Sequence, residues 1–246
     1  MNTLSRPYLF GLLAGLFLAA GLCLAALTVT HAWMKIAETN VINVTGSARK
    51  DVRSDLVIWN MLFTNVAKTL PAAQMNAKAN LAEVLAFLKT AGLTDITVEP
   101  VVVNERYDRV KESDGTEKNI HAGYSITQRL KVHSTDVDMT PKLASDTAEL
   151  IDKGIVLQTS GIQFIYTKAG EAKIEMMGEA TRDARTRAEQ IASQGGRKIK
   201  ALRSARMGVV QINPRYSTAT SWEGNNDTSA LEKTITTTMT AVFSLE

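Results

Sequence analysis

Residues 8–30, YLFGLLAGLFLAAGLCLAALTVT, form an unbroken apolar run of 23 residues without a charge. About 20 apolar residues in a helix cross the hydrocarbon core of a bilayer. Every formal charge except that of Arg6 lies after the run. The chain therefore reads as a short cytoplasmic stub and transmembrane anchor (1–34) followed by a water-soluble body (35–246). Arg6 ahead of the run, with Lys35 and Glu38 behind it, favours a cytoplasmic N-terminus and a body on the far side. The competing reading is a cleaved signal, whose apolar region is roughly 7–15 residues and ends at small residues. Thr30-His31-Ala32 and Leu24-Ala25-Ala26 both fit such an end. The length favours a retained anchor, and both readings export the body. Gly11, Gly15, Ala19 and Cys23 recur every four residues. They form the small-residue face that lets helices approach closely in lipid, although Gly and Ala are common in membrane helices anyway.

Composition narrows the function. The formal net charge is only +3, without the clustered basic face that nucleic acid requires. Cys23 is the single cysteine and lies inside the apolar run, which leaves the body no disulfide, thiolate cluster or cysteine nucleophile. A cysteine-free body tolerates an oxidising compartment without depending on it, which favours a bacterial periplasm.

Beyond a polar stretch at 37–40, residues 41–48 are rich in branched side chains and predict a strand. A polar break at 51–55 follows. Residues 56–66 predict a second strand, apolar on both faces and hence central or covered on both sides. The two are expected to pair as a hairpin. Thr69 and Pro71 signal a helix start. Ala77, Leu81, Val84, Leu85 and Leu88 place one apolar stripe on helix 72–91, and Gly92 closes it. Strands follow at 96–104 and 124–134. The polar stretch 105–121 between them has a tight turn at Asp114-Gly115, giving a long hairpin with a projecting charged tip. Pro141 opens a helix over 142–153, and a strand covers 162–167.

A third helix spans 170–193, with a buried register of Ile174, Met177, Thr181, Ala184, Ala188 and Ile191. Its other face interleaves Glu179/Arg182, Asp183/Arg187 and Arg185/Glu189, as a solvated face does. Gly195-Gly196 ends it. A strand region at 198–213 and a polar loop at 215–231 precede a closing strand at 234–245. A loop of that length is functional or mobile, and Trp222 reads as the pin that holds it down. The fold class expected is α/β (α+β): mainly antiparallel sheets with helices packed on them. The order strand–helix–strand–strand at 56–134 and again at 162–245 suggests a duplicated βαββ unit.

The chemistry is sparse. His31 sits at the membrane edge, and His121 and His133 lie at two ends of one strand, so no metal-binding spacing exists. Gly46-Ser47-Ala48 lacks the flanks of a nucleophile elbow. Gly195-Gly196 follows a helix rather than opening one, the wrong polarity for a phosphate loop. No catalytic, cofactor-binding or metal-ligating residue is assigned, and no cofactor is expected.

Several strings together resemble the SIMPL-domain family. They are residues 41–48 (VINVTGSA), the helix end 88–93 (LKTAGL), Gly123-Tyr124-Ser125, Gly161-Ile162-Gln163-Phe164 and residues 179–189 (EATRDARTRAE). The last is similar to the family's A-x-x-D-A-R-x-K-A-E helix, with Arg187 where members often carry Lys. Ala48 stands where many carry Gly. The likeness covers about 41–246. It implies an exported α/β domain, with some members described as oxidative-stress defence proteins and others as periplasmic antigens that form ring- or channel-like oligomers. It carries over no catalytic residue.

The expected function is a single-pass inner-membrane protein with a periplasmic body, non-enzymatic, acting through self-assembly in envelope or oxidative-stress defence. Its partners are the membrane and copies of itself, with no nucleic acid and no ligand identified. The alternatives are a small-molecule or peptide binding module using loops 106–118 and 215–231, and a hydrolase whose site is invisible in sequence.

Overall fold

The computed structural model describes residues 7–37, 40–111 and 116–246. Helix α1, Pro7–Ala37, carries the apolar run. Within it Gly11–Met34 is long and apolar enough to cross a membrane, and none of that stretch is buried against protein. A membrane anchor and a signal sequence share this composition. The helix continues to Ala37, into the stretch expected to be polar. Arg6, Glu38 and the turn expected at Asp114-Gly115 lie outside the described residues.

The chain divides into two compact units, one of Met1–Gly46, Ala184–Arg206 and Thr240–Glu246, the other of Ser47–Asp183 and Met207–Met239. The larger unit contains a complete five-stranded sheet. Its centre is β2, Leu56–Ala67, flanked by β5 (Glu117–Ser134) and β6 (Gln158–Ile165). On the far side of β5 lie β3 (Asp95–Val98) and β4 (Val102–Lys111), and every pairing is antiparallel. Trp59, Met61 and Phe63 project from one face of β2. They meet Val84 and Leu88 of helix α2 (Leu70–Thr90), Leu130 and Val132 of β5, and Leu143 and Leu150 of helices α3 (Met139–Asp146) and α4 (Ala148–Ile151). Burying such side chains contributes roughly 1.5–3 kcal/mol each.

Helix α2 follows its sequence closely. Thr69 is extended, Pro71 occupies the first turn, and Ala73, Ala77, Val84 and Leu88 are buried. Leu81 and Leu85 are half-buried against the same core. Gly92 takes φ +82, and its N–H donates to the Lys89 carbonyl.

The second sheet runs in the order β1 (Val41–Arg53), β10 (Glu232–Leu245), β8 (Gln211–Pro214), β9 (Asn225–Asn226), and β7 (Ile199–Met207) also pairs with β10. In the larger unit Ala48 and Val52 of β1, with Ile212, Ile235 and Met239, pack against Ala172, Met176 and Ala180 of helix α5 (Ala169–Gln194). In the smaller unit Val44, Ala241 and Phe243 pack against Ala184 and Ala188. There Leu245 N–H donates to Asn40 O, and Arg197 reaches the Asn40 side chain.

Several sequence expectations need correction. Strands β1 and β2 do not form a hairpin: β1 runs through the expected polar break to Arg53 and joins the other sheet. The link Ser54-Asp55 donates outward, to Leu231 O and Ile165 O, and both edges of β2 are already taken. Strand 96–104 is interrupted around Pro100, which has no N–H to give a ladder, and becomes β3 and β4. Strand β5 reaches back through the polar stretch to Glu117. Helix 142–153 is two short helices that meet at Thr147, and strand 198–213 is interrupted at 208–210.

The buried stripe of α5 is Ala172, Met176, Ala180, Ala184, Ala188 and Ala192, whereas Ile174 is 70% exposed and Ile191 55%. A repeat of four drifts about 40° per step around a helix of 3.6 residues per turn, which a 3-4-3-4 count misses. The small side chains expected on that face are there, in greater purity. The two expected βαββ units are not repeated as such: the orders are β2–α2–β3–β4–β5 and β6–α5–β7–β8–β9–β10, β6 pairs with β2, and β1 stands beside β10.

Candidate functional site

Strand parity places Lys233, Ile235, Thr237 and Met239 on the core-facing side of β10. Ile235 pairs with Ile212 of β8, while Thr234 and Thr236 pair with Asn213 and Gln211 on the opposite face. Lys233 thus begins a buried row and is 1% exposed. Its Nζ donates to the Asp227 carbonyl at 2.5 Å and lies 3.6 Å from Asp227 Oδ2. Asp227 in turn accepts from the amides of Ser229 and Ala230 and from the Ser229 hydroxyl.

Burial pushes the Lys233 ammonium below its usual range, and the Asp227 charge partly pulls it back. Burial also works against the Asp227 carboxylate, but the Ser229 and Ala230 hydrogen bonds and the Lys233 charge outweigh it and hold the group below the usual carboxylate range. An ammonium paired in this way anchors the segment 225–230.

Beside this pair lies a cavity of about 140 Å³, lined among others by Phe164, Tyr166, Lys173, Asn226, Thr228 and Lys233. The 225–230 segment forms one wall, and its backbone is fixed at its middle. Asp227 N–H donates to Ile212 O, and Phe164 N–H donates to Thr228 O. The volume admits a few waters or a very small molecule. The sequence alone assigns no role to Lys233 or Asp227. The signal was there: a lysine two residues before Ile235 shares its strand face.

Loop 215–231 was expected to be pinned by Trp222, and that is corrected. Trp222 is 85% exposed and Tyr216 78%. The pins are amides on the outer face of β8. Gln211 accepts from Ser221 N–H and donates to Ser221 O, and Asn213 donates to Ala219 O and accepts from Asn225. Tyr216 adopts φ +67, and its ring lies 5.1 Å from the Arg215 guanidinium. The loop is built to hold two aromatic rings in solvent.

The described residues of the other candidate segment, 106–111 and 116–118, belong to an arm. Strand β4 is exposed along its whole length and, among the described residues, pairs only with β5. Tyr107 stacks edge-on against His121, which stacks edge-on against Tyr124. The Tyr107 hydroxyl donates to Glu105, and Arg109 meets Glu117 across the ladder at 3.3 Å. His133 faces Asp95 at 3.7 Å, and His31 lies on α1. His121 and His133, at two ends of β5, are therefore not brought together.

Two strings that carry the family likeness do meet. The Asp183 carboxylate accepts from Ser47 N–H at 2.7 Å, joining the EATRDARTRAE helix to the VTGSA strand. Arg185 and Glu189 form the expected pair, at 2.8 Å. The Asp183 contact is architectural: it ties helix α5 to strand β1.

Comparison with known proteins bears on the body alone. A family model described as "SIMPL: Protein of unknown function (DUF541)" matches residues 42–243. No curated protein matches the chain. Among solved structures, a de novo designed protein, Foldit4, is 11% identical with a TM-score of 0.25, the match covering 44% of this chain and 94% of that one. A hydantoinase/carbamoylase family amidase from Burkholderia ambifaria is 12% identical with a TM-score of 0.20, covering 61% of this chain and 36% of that one. Neither likeness is close enough to inform fold or activity.

Proposed function

The chain belongs to the SIMPL family, and from that premise we propose that it is a non-enzymatic inner-membrane protein with a periplasmic body that acts by assembling with copies of itself, in envelope or oxidative-stress tolerance. The arm carries this reading. Residues 106–111 and 117–123 pair with each other and, among the described residues, with nothing else. A two-stranded ribbon is marginal in water by itself, and an unpaired strand edge is a template for another chain. Helix α1 supports the location, because an all-round apolar helix suits lipid. The commitment of Lys233 to Asp227 supports the non-enzymatic part, since a paired ammonium is a poor nucleophile.

Sedimentation of the full chain in detergent micelles tests the assembly. A defined oligomer is the expected result, and a strict monomer at every attainable concentration overturns it. Protease added to spheroplasts tests the location: the body should be digested, and full protection would place it in the cytoplasm.

A second reading, a binding module using 106–118 and 215–231, draws on the exposed rings of Tyr216 and Trp222. A ligand that binds the native state raises the melting temperature. A hit from a small-molecule and peptide panel should lose its shift in Trp222→Ala; no hit, or an unchanged shift, removes this reading.

A further inference from the structure

We propose that the outer edge of β4 pairs antiparallel with β4 of a second copy, with Tyr107 opposite Tyr107 of that copy. The proposal rests on the assembly reading and names the surface. The residues Glu105-Arg106-Tyr107-Asp108-Arg109 alternate in charge so that the pattern, read backwards, is its own complement. Antiparallel self-pairing about Tyr107 sets Arg106 opposite Asp108 and Glu105 opposite Arg109, twice each. Directly opposed residues in such a ladder share a face and interact, and opposite charges stabilise while like charges destabilise. A two-fold axis perpendicular to the sheet allows only registers that centre on one residue. The neighbouring two, centred on Arg106 or Asp108, bring like charges face to face.

The local structure agrees. Arg106 and Asp108 lie two apart on one face of β4; their backbones belong to the ladder with β5, while their side chains have neither an ion-pair nor a hydrogen-bond partner among the described residues. On the other face Glu105 is held by Tyr107 and Arg109 by Glu117, which orders both side chains in place. Val102, Val103 and Val110 add apolar surface along the same exposed strand. Pairing converts two ribbons into a four-stranded sheet and covers the free edge, as strand addition does in peptide recognition.

The test uses the full chain in detergent with Cys23→Ser, since Cys23 is the only native cysteine. Mild oxidation of Tyr107→Cys should yield a disulfide-linked dimer as the main product. Val103→Cys and Val110→Cys should not, because in this register each lies far from its own copy. Independently, Arg106→Asp should weaken self-association about tenfold, because it sets a second carboxylate directly opposite Asp108. Adding Asp108→Arg to it should restore wild-type association. The cross-link at position 107 together with the charge-swap rescue supports the register, and either one failing overturns it. An oligomer that shows neither leaves the assembly reading standing with this surface excluded. A strict monomer removes both.

Discussion

Lys233 Nζ lies 3.6 Å from Asp227 Oδ2, with both side chains almost wholly out of water. The link joins the first residues of β10 to the segment that walls the cavity beside Phe164 and Tyr166. The ammonium also takes the Asp227 backbone carbonyl, so the loop is held by its main chain as well as by charge.

Removing one partner of such a pair strands the other in a dry site. Lys233→Met should therefore cost about 3–5 kcal/mol of stability. Lys233→Met with Asp227→Asn should recover part of that loss. Urea denaturation of the four members of this double-mutant cycle measures the coupling.

The acid limb of stability should begin near pH 4. The Thr234 hydroxyl holds Asp51 below the ordinary carboxylate range. For Asp55 burial opposes, but the Thr167 amide and hydroxyl prevail, and Asp227 is depressed in the same direction. A group whose folded pKa is depressed adds stability above the unfolded value of about 3.9, and that stability is lost as pH falls through the folded value. Asp227→Asn should flatten the loss between about pH 4 and pH 2. Lys233 acts at the other end: its folded value is lowered, so its contribution rises with pH towards about 10.4. Denaturation midpoints from pH 2 to pH 10 check both.

Thr237 Oγ1 is buried without a hydrogen-bond partner among the described residues. It sits in the core-facing row of β10 between Ile235 and Met239. Replacing an unsatisfied hydroxyl by a methyl of the same shape should stabilise the fold by about 1 kcal/mol. Thermal unfolding of Thr237→Val tests this, and a loss of stability would mean that the hydroxyl is satisfied.

Gly123 stands at φ +127 where the β4–β5 register shifts, and a Cβ there would come within 2.4 Å of Ala67 O. Gly123→Ala should cost about 2–3 kcal/mol. Gly92→Ala, with positive φ but nothing within 4 Å, should cost only about 1 kcal/mol. Melting curves rank the two.

Trp222→Ala should change stability by less than about 0.5 kcal/mol, as for other exposed sites. Gln211→Ala removes both hydrogen bonds to Ser221 and should cost about 1–2 kcal/mol. Hydrogen exchange across 215–224 should rise in Gln211→Ala only.

The candidate surfaces were half legible. The polar stretch 105–121 marked the arm, and the threonine-rich end of the chain marked β10. The roles inside loop 215–231 were not legible, since Trp222 and Gln211 exchange the parts that hydrophobicity assigns them. An indole is the better anchor by area, but the amides of Gln211 and Asn213 lie on the face of β8 that the loop crosses, and Trp222 does not. Lys233 was hidden for a related reason. Its charge reads as surface until strand parity and the position of Asp227 are known together.

What the sequence alone determined is what local chemistry can settle. Residues 8–30 are apolar on every side and make a helix suited to lipid; the Ala77–Leu88 stripe with Gly92 makes α2; branched runs make strands. These follow from periodicity and from backbone limits that act within a few residues. Only the tertiary structure decided that β1 leaves β2 and joins β10, that the small face of α5 runs through Ala172 and Ala192 rather than Ile174 and Ile191, and that Lys233 closes on Asp227. Each of these depends on which edge or face remains unoccupied after the other strands have paired. That is a competition among distant segments, and it brings together residues as remote as Asp51 and Thr234, 183 positions apart in the chain.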